Sequence, residues 1–467
     1  MIVGVGCLLV FLAMASLMYA RRLSALLALP MMAVLIALIG GIPAPEILSK
    51  VVDQGALKLH AAYTTTMFGA ALAELINKQG IAKQLIRWVA EFAGDNPFIL
   101  GLLLTAVTAL LFSTLGGLGA VIMVGTIVLP VMLSLGISTV TAGGLYLFGI
   151  SLGGMFNLAN WQLYIDVLNI PRSQITSFVL PLTGAMCLII LAFLGVELRK
   201  PRNLGYIAAA AAVIATGFAI FCLSPQTSPP AQATAVDQLS LTVAGIASLA
   251  LIGLATGRHL AGSTSTPGIA LLTPFLPLLL VLSFHWEIIP AFSAGIIYGA
   301  LTTWQRNSIN TITRSILDGV STVIPAVVLM VGIGMLLSAV MHPLVARAIA
   351  PLLARLVPTH ALGYIAVFTL AAPLSLYRGP LSLWGMGSGL VALVQKTTAL
   401  TSQAIMGMLM SVGQLQGVCD PTNTHNIWIA TYLGIDTQAL LTRTIPYAWA
   451  GALCGLCLAV FLGYVAW

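Results

Sequence analysis

The sequence predicts an all-α polytopic membrane protein with about 12 transmembrane helices, two re-entrant hairpins and broken helices, built as two inverted repeats. Hydropathy is the first reason: 59% of the 467 residues are hydrophobic, 7% are charged, and mean hydropathy is +1.05. A soluble domain carries roughly 25% charged residues. An internal repeat is the second. The third is a pair of polar interruptions inside apolar stretches, the fuller of which reads "GQLQGVCDPTNTHNIWIA" at 413–430.

In chain order, apolar spans fall at 2–20, 23–41, 62–77, 139–168, 174–196, 204–223, 241–257, 267–284, 287–303, 320–341, 402–430 and 441–465. Most reach the ~17–25 residues that cross a hydrocarbon core. The N-terminal stretch lacks a basic n-region and a small-residue cleavage site, so it reads as a retained first span. Stretches 97–135 and 361–396 are too long for one crossing and are interrupted by "STLGGLG" (113–119) and "SLYRGPL" (375–381). Each half is short of a full crossing, so both read as hairpins returning to the side they entered. The 45 Gly and 23 Pro fit helices that kink, break or approach closely. No period-2 pattern suggests a β-barrel. The six Cys read as small core residues, since Cys454 and Cys457 form a C-x-x-C without a partner pair for zinc.

Basic residues orient the spans. Arg21, Arg22, Lys78, Lys83, Arg87, the "ELRKPR" loop at 197–202, Arg258, Arg306 and Arg314 fall inside if the N-terminus is outside and both hairpins are re-entrant. The loop 224–238 has no Lys or Arg and falls outside. Lys50, Lys58, Arg172, Arg347, Arg355 and Lys396 break the bias. The net charge of +7 is therefore an orientation signal and gives no reason to expect nucleic acid. In the repeat, "DVLNIPRSQITSFVLP" (166–181) aligns with "TYLGIDTQALLTRTIP" (431–446), and Ser113 aligns with Ser375. The basic amphipathic stretches "GIAKQLIRWVAEFAG" and "PLVARAIAPLLARLV" align as well. The organisation is then a first repeat at 1–203 (scaffold helices 1–77, hairpin and broken helix 97–168), linking helices at 204–260, and a second repeat at 261–467 (scaffold 267–341, hairpin and broken helix 361–430). An odd number of crossings separates the copies, so the second is inverted.

A broken span follows each hairpin, "GISLGGMFNLANWQLY" (149–164) in one copy and the 413–430 stretch in the other. At the repeat offset Asn157 and Asn160 meet Thr422 and His425. Pro421 lacks an N–H, and Gly153 and Gly154 weaken the equivalent turn. Exposed half-helix carbonyls suit a cation and exposed N–H groups an anion. Scaffold spans, amphipathic helix, hairpin and broken helix, repeated upside down, resemble the ion transporter superfamily of secondary carriers, which includes citrate, dicarboxylate, gluconate and lactate permeases and some sodium/proton antiporters. "STLGG" and "SLYRG" stand where divalent-anion symporters of that group carry a Ser-Asn-Thr tip. The resemblance implies a mobile transport domain of hairpins and broken helices against a dimeric scaffold, working as an elevator.

The candidate substrate-binding residues are Ser113, Gly116, Gly117, Asn157, Asn160, Ser375, Arg378, Gly379, Thr422, Asn423 and Thr424; the candidate coupling-ion residues are Asp420, His425 and Asn157. Arg378 offers planar two-point donation to a carboxylate, against snorkelling or pairing with Asp420. Asp420 could bind a coupling cation or carry a proton, against acting as partner to Arg378 or as N-cap of the "PTNTHN" half-helix. His425 could relay protons or sit as a hydrogen-bonded core histidine. Glu74 reads as a salt bridge or a headgroup-level residue, and Asp166 as structural. The expected function is secondary active transport of a small organic anion (a carboxylate) or zwitterion across a bacterial cytoplasmic membrane, coupled to H⁺ or Na⁺. No other cofactor and no metal are expected; the partners are the bilayer and a second copy. The rivals are a cation/proton antiporter of the same fold, a channel, and a membrane enzyme, for which no HExxH or nucleophile elbow appears. No Walker motif supports an ATP-driven pump.

The charge pattern makes a direct prediction. A single cysteine at Ser228 should label from outside intact cells, and one at Asn203 only after permeabilisation; outside labelling at Asn203 refutes the orientation.

Overall fold

The computed structural model describes residues 2–19, 22–198, 249–261, 266–305, 307–353, 357–379, 381–383 and 398–466, with isolated residues between. Most of the linking span 204–223, much of 241–257, the loop 224–238, residues 199–203, Arg21, Arg306, Arg355 and Lys396 lie outside the described residues. So do most of the second hairpin's return limb and the side chain of Arg378.

The described residues form helices and no strand, apart from one isolated bridge between His360 and Ala466. The main helices are α1 Ile2–Tyr19, α2 Ala25–Ile39, α3 His60–Lys78, α4 Ile81–Ala93, α5 Pro97–Phe112, α6 Gly117–Ser134, α7 Thr139–Phe156, α8 Leu158–Leu168 and α9 Arg172–Glu197, with a shorter helical run, part of it π-helical, at 44–57. There follow α10 Leu276–Ser283, α11 Ile288–Thr302, α12 Ser308–Met341, α13 Pro343–Leu353, α14 Ala361–Ala371, α15 Ser402–Cys419, α16 Thr424–Leu433 and α17 Thr437–Phe461. Five of them, α6, α7, α9, α12 and α17, are long and apolar enough to cross a membrane by length and composition.

Three elements depart from the expected spans. The span at 267–284 is not one helix: it opens as a 3₁₀ turn at Gly268–Leu272 and becomes α-helical only in α10, because Pro267, Pro274 and Pro277 remove backbone donors. The span at 320–341 starts earlier, so that α12 has 34 residues and a length of ~51 Å, well beyond a ~30 Å core. Arg314 therefore lies in helix rather than loop. In the first hairpin, α6 has 18 residues, about 27 Å, so this limb is longer than a half-crossing. The amphipathic stretches are helical as expected, as α4 and α13. Cys7 and Cys419 are buried, whereas Cys454 and Cys457 are exposed on α17 and are not core residues.

The chain divides into two compact units. One comprises Met1–Tyr63, Asn160–Ile190 and Ile324–Trp467; the other comprises Thr64–Ala159 and Leu191–Val323. Within the first, α15 and α17 pack through small residues. A Cβ on Gly455 would lie 2.2 Å from Ser411 Oγ, and one on Gly407 would lie 2.9 Å from Ala459 Cβ. Within the second, α7 packs on α5 through Gly149 and Gly153, four residues apart. A Cβ on Gly149 would lie 2.8 Å from Thr108 Cβ, and one on Gly153 only 2.3 Å from Ala109 O. This is small-xxx-small packing, which lets backbones approach where lipid supplies no hydrophobic drive. Gly153 and Gly154 do not break the helix: α7 runs through them to Phe156. Gly153 serves close packing instead.

Gly153→Ala should therefore destabilise by about 1–3 kcal/mol through overpacking. Gly413→Ala is the contrast. It lies within α15 with nothing within 4 Å of an added Cβ, and should gain about 0.5–1 kcal/mol from helix propensity. Thermal unfolding in detergent checks both signs.

Candidate functional site

Both helix breaks exist, and their local geometry is shared. α7 starts after Ser138, whose hydroxyl accepts from Thr141 N, and ends at Asn157 with φ −67° and ψ 117°. α15 starts after Thr401, which accepts from Ala404 N, and ends at Asp420 with φ −67° and ψ 110°. Thr401 stands 263 residues after Ser138, and Asp420 stands 263 residues after Asn157. Beyond the breaks, α8 ends at Leu168 and α16 ends 265 residues later at Leu433. The second break thus holds two extra residues. The residue that ends α15 as Asn157 ends α7 is Asp420, not Thr422.

Each break residue turns its side-chain oxygen onto the next segment. Asn157 Oδ1 accepts from Ala159 N at 3.1 Å and so caps α8. Asp420 Oδ1 accepts from Thr422 N at 2.9 Å and Thr422 Oγ1 at 2.7 Å. That closes an Asx turn. Asp420 ends α15 because it precedes Pro421, which disfavours helical backbone at the residue before it. It is not the N-cap of the following half-helix: α16 begins at Thr424, with Asn423 in the cap position.

Around Asp420, which is fully buried, the structure gathers several of the sequence candidates. His425 Nε2 lies 3.0 Å from Asn423 Nδ2 and 3.2 Å from Gly417 O. Asn426, which the sequence reading left out, donates from Nδ2 to Val418 O at 2.9 Å, and its buried Oδ1 has no partner. Its place one helical turn beyond Thr422 was the available signal. Thr424 does not join the buried cluster and is exposed. Ser382 Oγ donates to Gln416 Oε1 at 2.8 Å, tying the second hairpin to the end of α15.

The hairpin tips use a second shared device. Ser113 Oγ donates to Leu110 O at 2.7 Å, and Ser375 Oγ donates to Ala372 O at 2.8 Å. In the second tip, which is the 3₁₀ segment Ala372–Arg378, Tyr377 has φ +57°. That is a strained conformation for a bulky residue. Gly379 follows because a Cβ there would lie 2.0 Å from Leu374 O. Arg378 belongs to this turn by its backbone. In the first tip, Gly116 is extended and Gly117 has φ +81°. Asn157 reaches this tip: its Nδ2 donates to Phe112 O at 3.1 Å and to Leu115 O at 2.9 Å. Both amide hydrogens are thus spent within the protein. Asn160 sits partly exposed in the first turn of α8.

Among the described residues the protein is thus helical, with two Asx-type breaks, two serine-braced tips and five helices long and apolar enough to cross a membrane. No family model matches the chain, and no curated protein matches it. It is similar in structure to the YdaH transporter of Alcanivorax borkumensis, with TM-score 0.44 and 15% identity over 91% of this chain and 90% of that one. It is also similar to MtrF of Neisseria gonorrhoeae, described with a class of antimetabolite efflux pumps, at TM-score 0.41 and 14% identity over 89% and 81% of the two chains.

The Asn157 contacts predict a pH signature. Asn157→Ala strands two carbonyls and one N–H, at about 1–3 kcal/mol for each group that water does not reach. Asn157→Asp puts an acceptor-only carboxylate against Phe112 O and Leu115 O when ionised, but one donor when protonated. Its melting temperature relative to wild type should rise as pH falls from 8 to 5, whereas Asn157→Ala should show no such trend.

Proposed function

We propose that the chain is a secondary active transporter for a small organic anion or zwitterion, coupled to H⁺ or Na⁺. The observation that carries this reading is the matched pair of helix breaks. Each holds a polar side chain and unwound backbone inside an apolar helix pair. Broken backbone at membrane depth is tolerated where it is packed in protein or lines a wet cavity, and paired breaks in repeated halves suit alternating access around a small solute. In this reading Arg378, at the strained tip beside Gly379, receives a carboxylate. Thr422, Asn423 and the serine-braced tip at Ser375 frame the solute, and Asp420 with His425 carries the coupling ion. The hairpins are re-entrant, and the protein works as an elevator with a dimeric scaffold in a bacterial cytoplasmic membrane. Protons are favoured over sodium, since the Ser-Asn-Thr tip is missing and His425 lies beside the break.

Uptake into proteoliposomes under imposed pH or Na⁺ gradients tests the reading. Candidate organic acids and amino acids are first screened by thermal shift, since a ligand bound to the folded state stabilises it. Arg378→Lys should fold and weaken affinity by about tenfold or more, because lysine keeps the charge but loses the two-point geometry. Asp420→Asn should still bind and equilibrate the solute but lose gradient-driven accumulation. Unchanged affinity in Arg378→Lys makes that residue structural. Full accumulation by Asp420→Asn removes it from coupling. Cation exchange without any organic solute identifies an antiporter.

A further inference from the structure

Helix α4 buries only one of its faces. At about 3.6 residues per turn its side chains fall into three stripes. Ala82, Ile86 and Ala93 share the first and are buried, on a helix that packs against α5 and α6. Lys83, Arg87 and Glu91 follow one another at four-residue steps in the second, and all three are exposed. Trp88 and Phe92 form the third and are 56% and 85% exposed.

The aromatic stripe adjoins a second apolar segment. A Cβ on Gly268, which opens the 3₁₀ turn Gly268–Leu272, would lie 3.8 Å from Trp88 Cη2. Ile269 and Leu272 of this turn are exposed as well. The turn is braced: Tyr298 Oη donates to Ile269 O at 2.7 Å, and Thr266 Oγ1, just ahead of it, donates to Gln79 O at 3.0 Å. All of these residues lie within one compact unit.

The two cations of α4 are uncommitted. Lys78, at the end of α3, is held by Asp318 and lies near Glu74. No ion pair among the described residues uses Lys83 or Arg87, and Glu91, one turn beyond Arg87, does not pair with it. Lys83 and Arg87 are neighbours on the helix surface, so an ammonium and a guanidinium are available to one anionic group, and guanidinium takes phosphate through two parallel N–H bonds. The counterpart helix of the other repeat, α13, is covered: α1 packs on it so closely that a Cβ on Gly4 would lie 2.1 Å from Ala348 O. A basic stripe beside exposed Trp and Phe is the pattern of a helix lying in the membrane interface, with its rings at the acyl boundary and its cations at the headgroups.

We infer that the outward faces of α4 dock on anionic phospholipid: Lys83 and Arg87 hold a headgroup phosphodiester, and Trp88 and Phe92 enter the acyl boundary together with Ile269 and Leu272. The inference rests on the chain being a membrane protein and is independent of its substrate and coupling ion.

The test follows the melting temperature of the full-length protein in dodecylmaltoside. Dioleoylphosphatidylglycerol or dioleoylphosphatidylcholine is added at rising mole fraction, and inorganic phosphate forms a third, lipid-free series. Wild type should show a saturable rise with phosphatidylglycerol, at a lower mole fraction than any rise with phosphatidylcholine and weakened by salt. The double variant Lys83→Gln, Arg87→Gln should melt as wild type does without lipid, because both side chains are exposed and unpaired. It should raise the half-maximal mole fraction of phosphatidylglycerol by about tenfold or more. Glu91→Gln should lower it, since the stripe then loses the charge that repels a phosphate. Phe92→Gln should raise it, and carries the test by itself if the double variant does not fold. Equal responses to the two lipids, a rise with inorganic phosphate that matches the rise with phosphatidylglycerol, or a wild-type response in the double variant overturns the inference. Conversion of a dimer to a monomer by Phe92→Gln, read by light scattering, assigns the face to a second copy and also overturns it.

Discussion

Everything distinctive in this chain follows from one constraint: a helix broken inside an apolar protein must find partners for the backbone groups it frees. The breaks after α7 and α15 meet it with side chains. Asn157 serves Ala159 N with its oxygen and two hairpin carbonyls with its amide. Asp420 serves Thr422 N, and Asn426 and His425 reach back to Val418 O and toward Gly417 O. Each contact removes a desolvation cost of about 1–3 kcal/mol that an unpaired buried group would otherwise carry.

The same constraint explains why the two breaks are alike in shape and unlike in charge. An amide can donate, so Asn157 fastens the first hairpin to the helix end behind it. A carboxylate can only accept, so Asp420 organises the turn ahead of it and leaves the carbonyls at the end of α15 to Asn426, His425 and neighbouring backbone. One break is therefore neutral and one ionisable. In the proposed transporter this difference assigns coupling to the second break. It gives the first a positioning role, keeping Ser113 and Gly116 in a fixed tip.

Close packing sets the second layer of the design. Lipid offers little reward for burying leucine, so helices associate where glycine lets backbones touch. Gly149 and Gly153 do this for α5 and α7, Gly407 and Gly455 for α15 and α17, and Gly319 for α12 on α3. These contacts place the hairpin limbs and the helices beside them. They also account for glycine's abundance better than helix breaking does: α7 runs through Gly153 and Gly154, and the break falls at Asn157, three residues later.

The sequence by itself determined the helical class, most helix positions, the amphipathic α4 and α13, the two interrupted stretches and the region of each break. Hydropathy, proline and clustered Asn, Thr and Asp are local signals, and they act through the backbone of their own segment. It could not show which residue closes each break. The repeat offset differs on the two sides of the break, and only the hydrogen-bonded geometry reveals that Asp420, not Thr422, answers Asn157. Nor could it foresee that Pro267, Pro274 and Pro277 reduce one span to the short α10, or that α12 would carry helix through its polar start. The role of Gly153, the unpartnered oxygen of Asn426 and the sharing of Lys78 between Glu74 and Asp318 were decided by tertiary structure alone. Each depends on atoms brought within a few ångströms by packing, across separations such as the 240 residues between Lys78 and Asp318, and spacing along a chain carries no record of such distances.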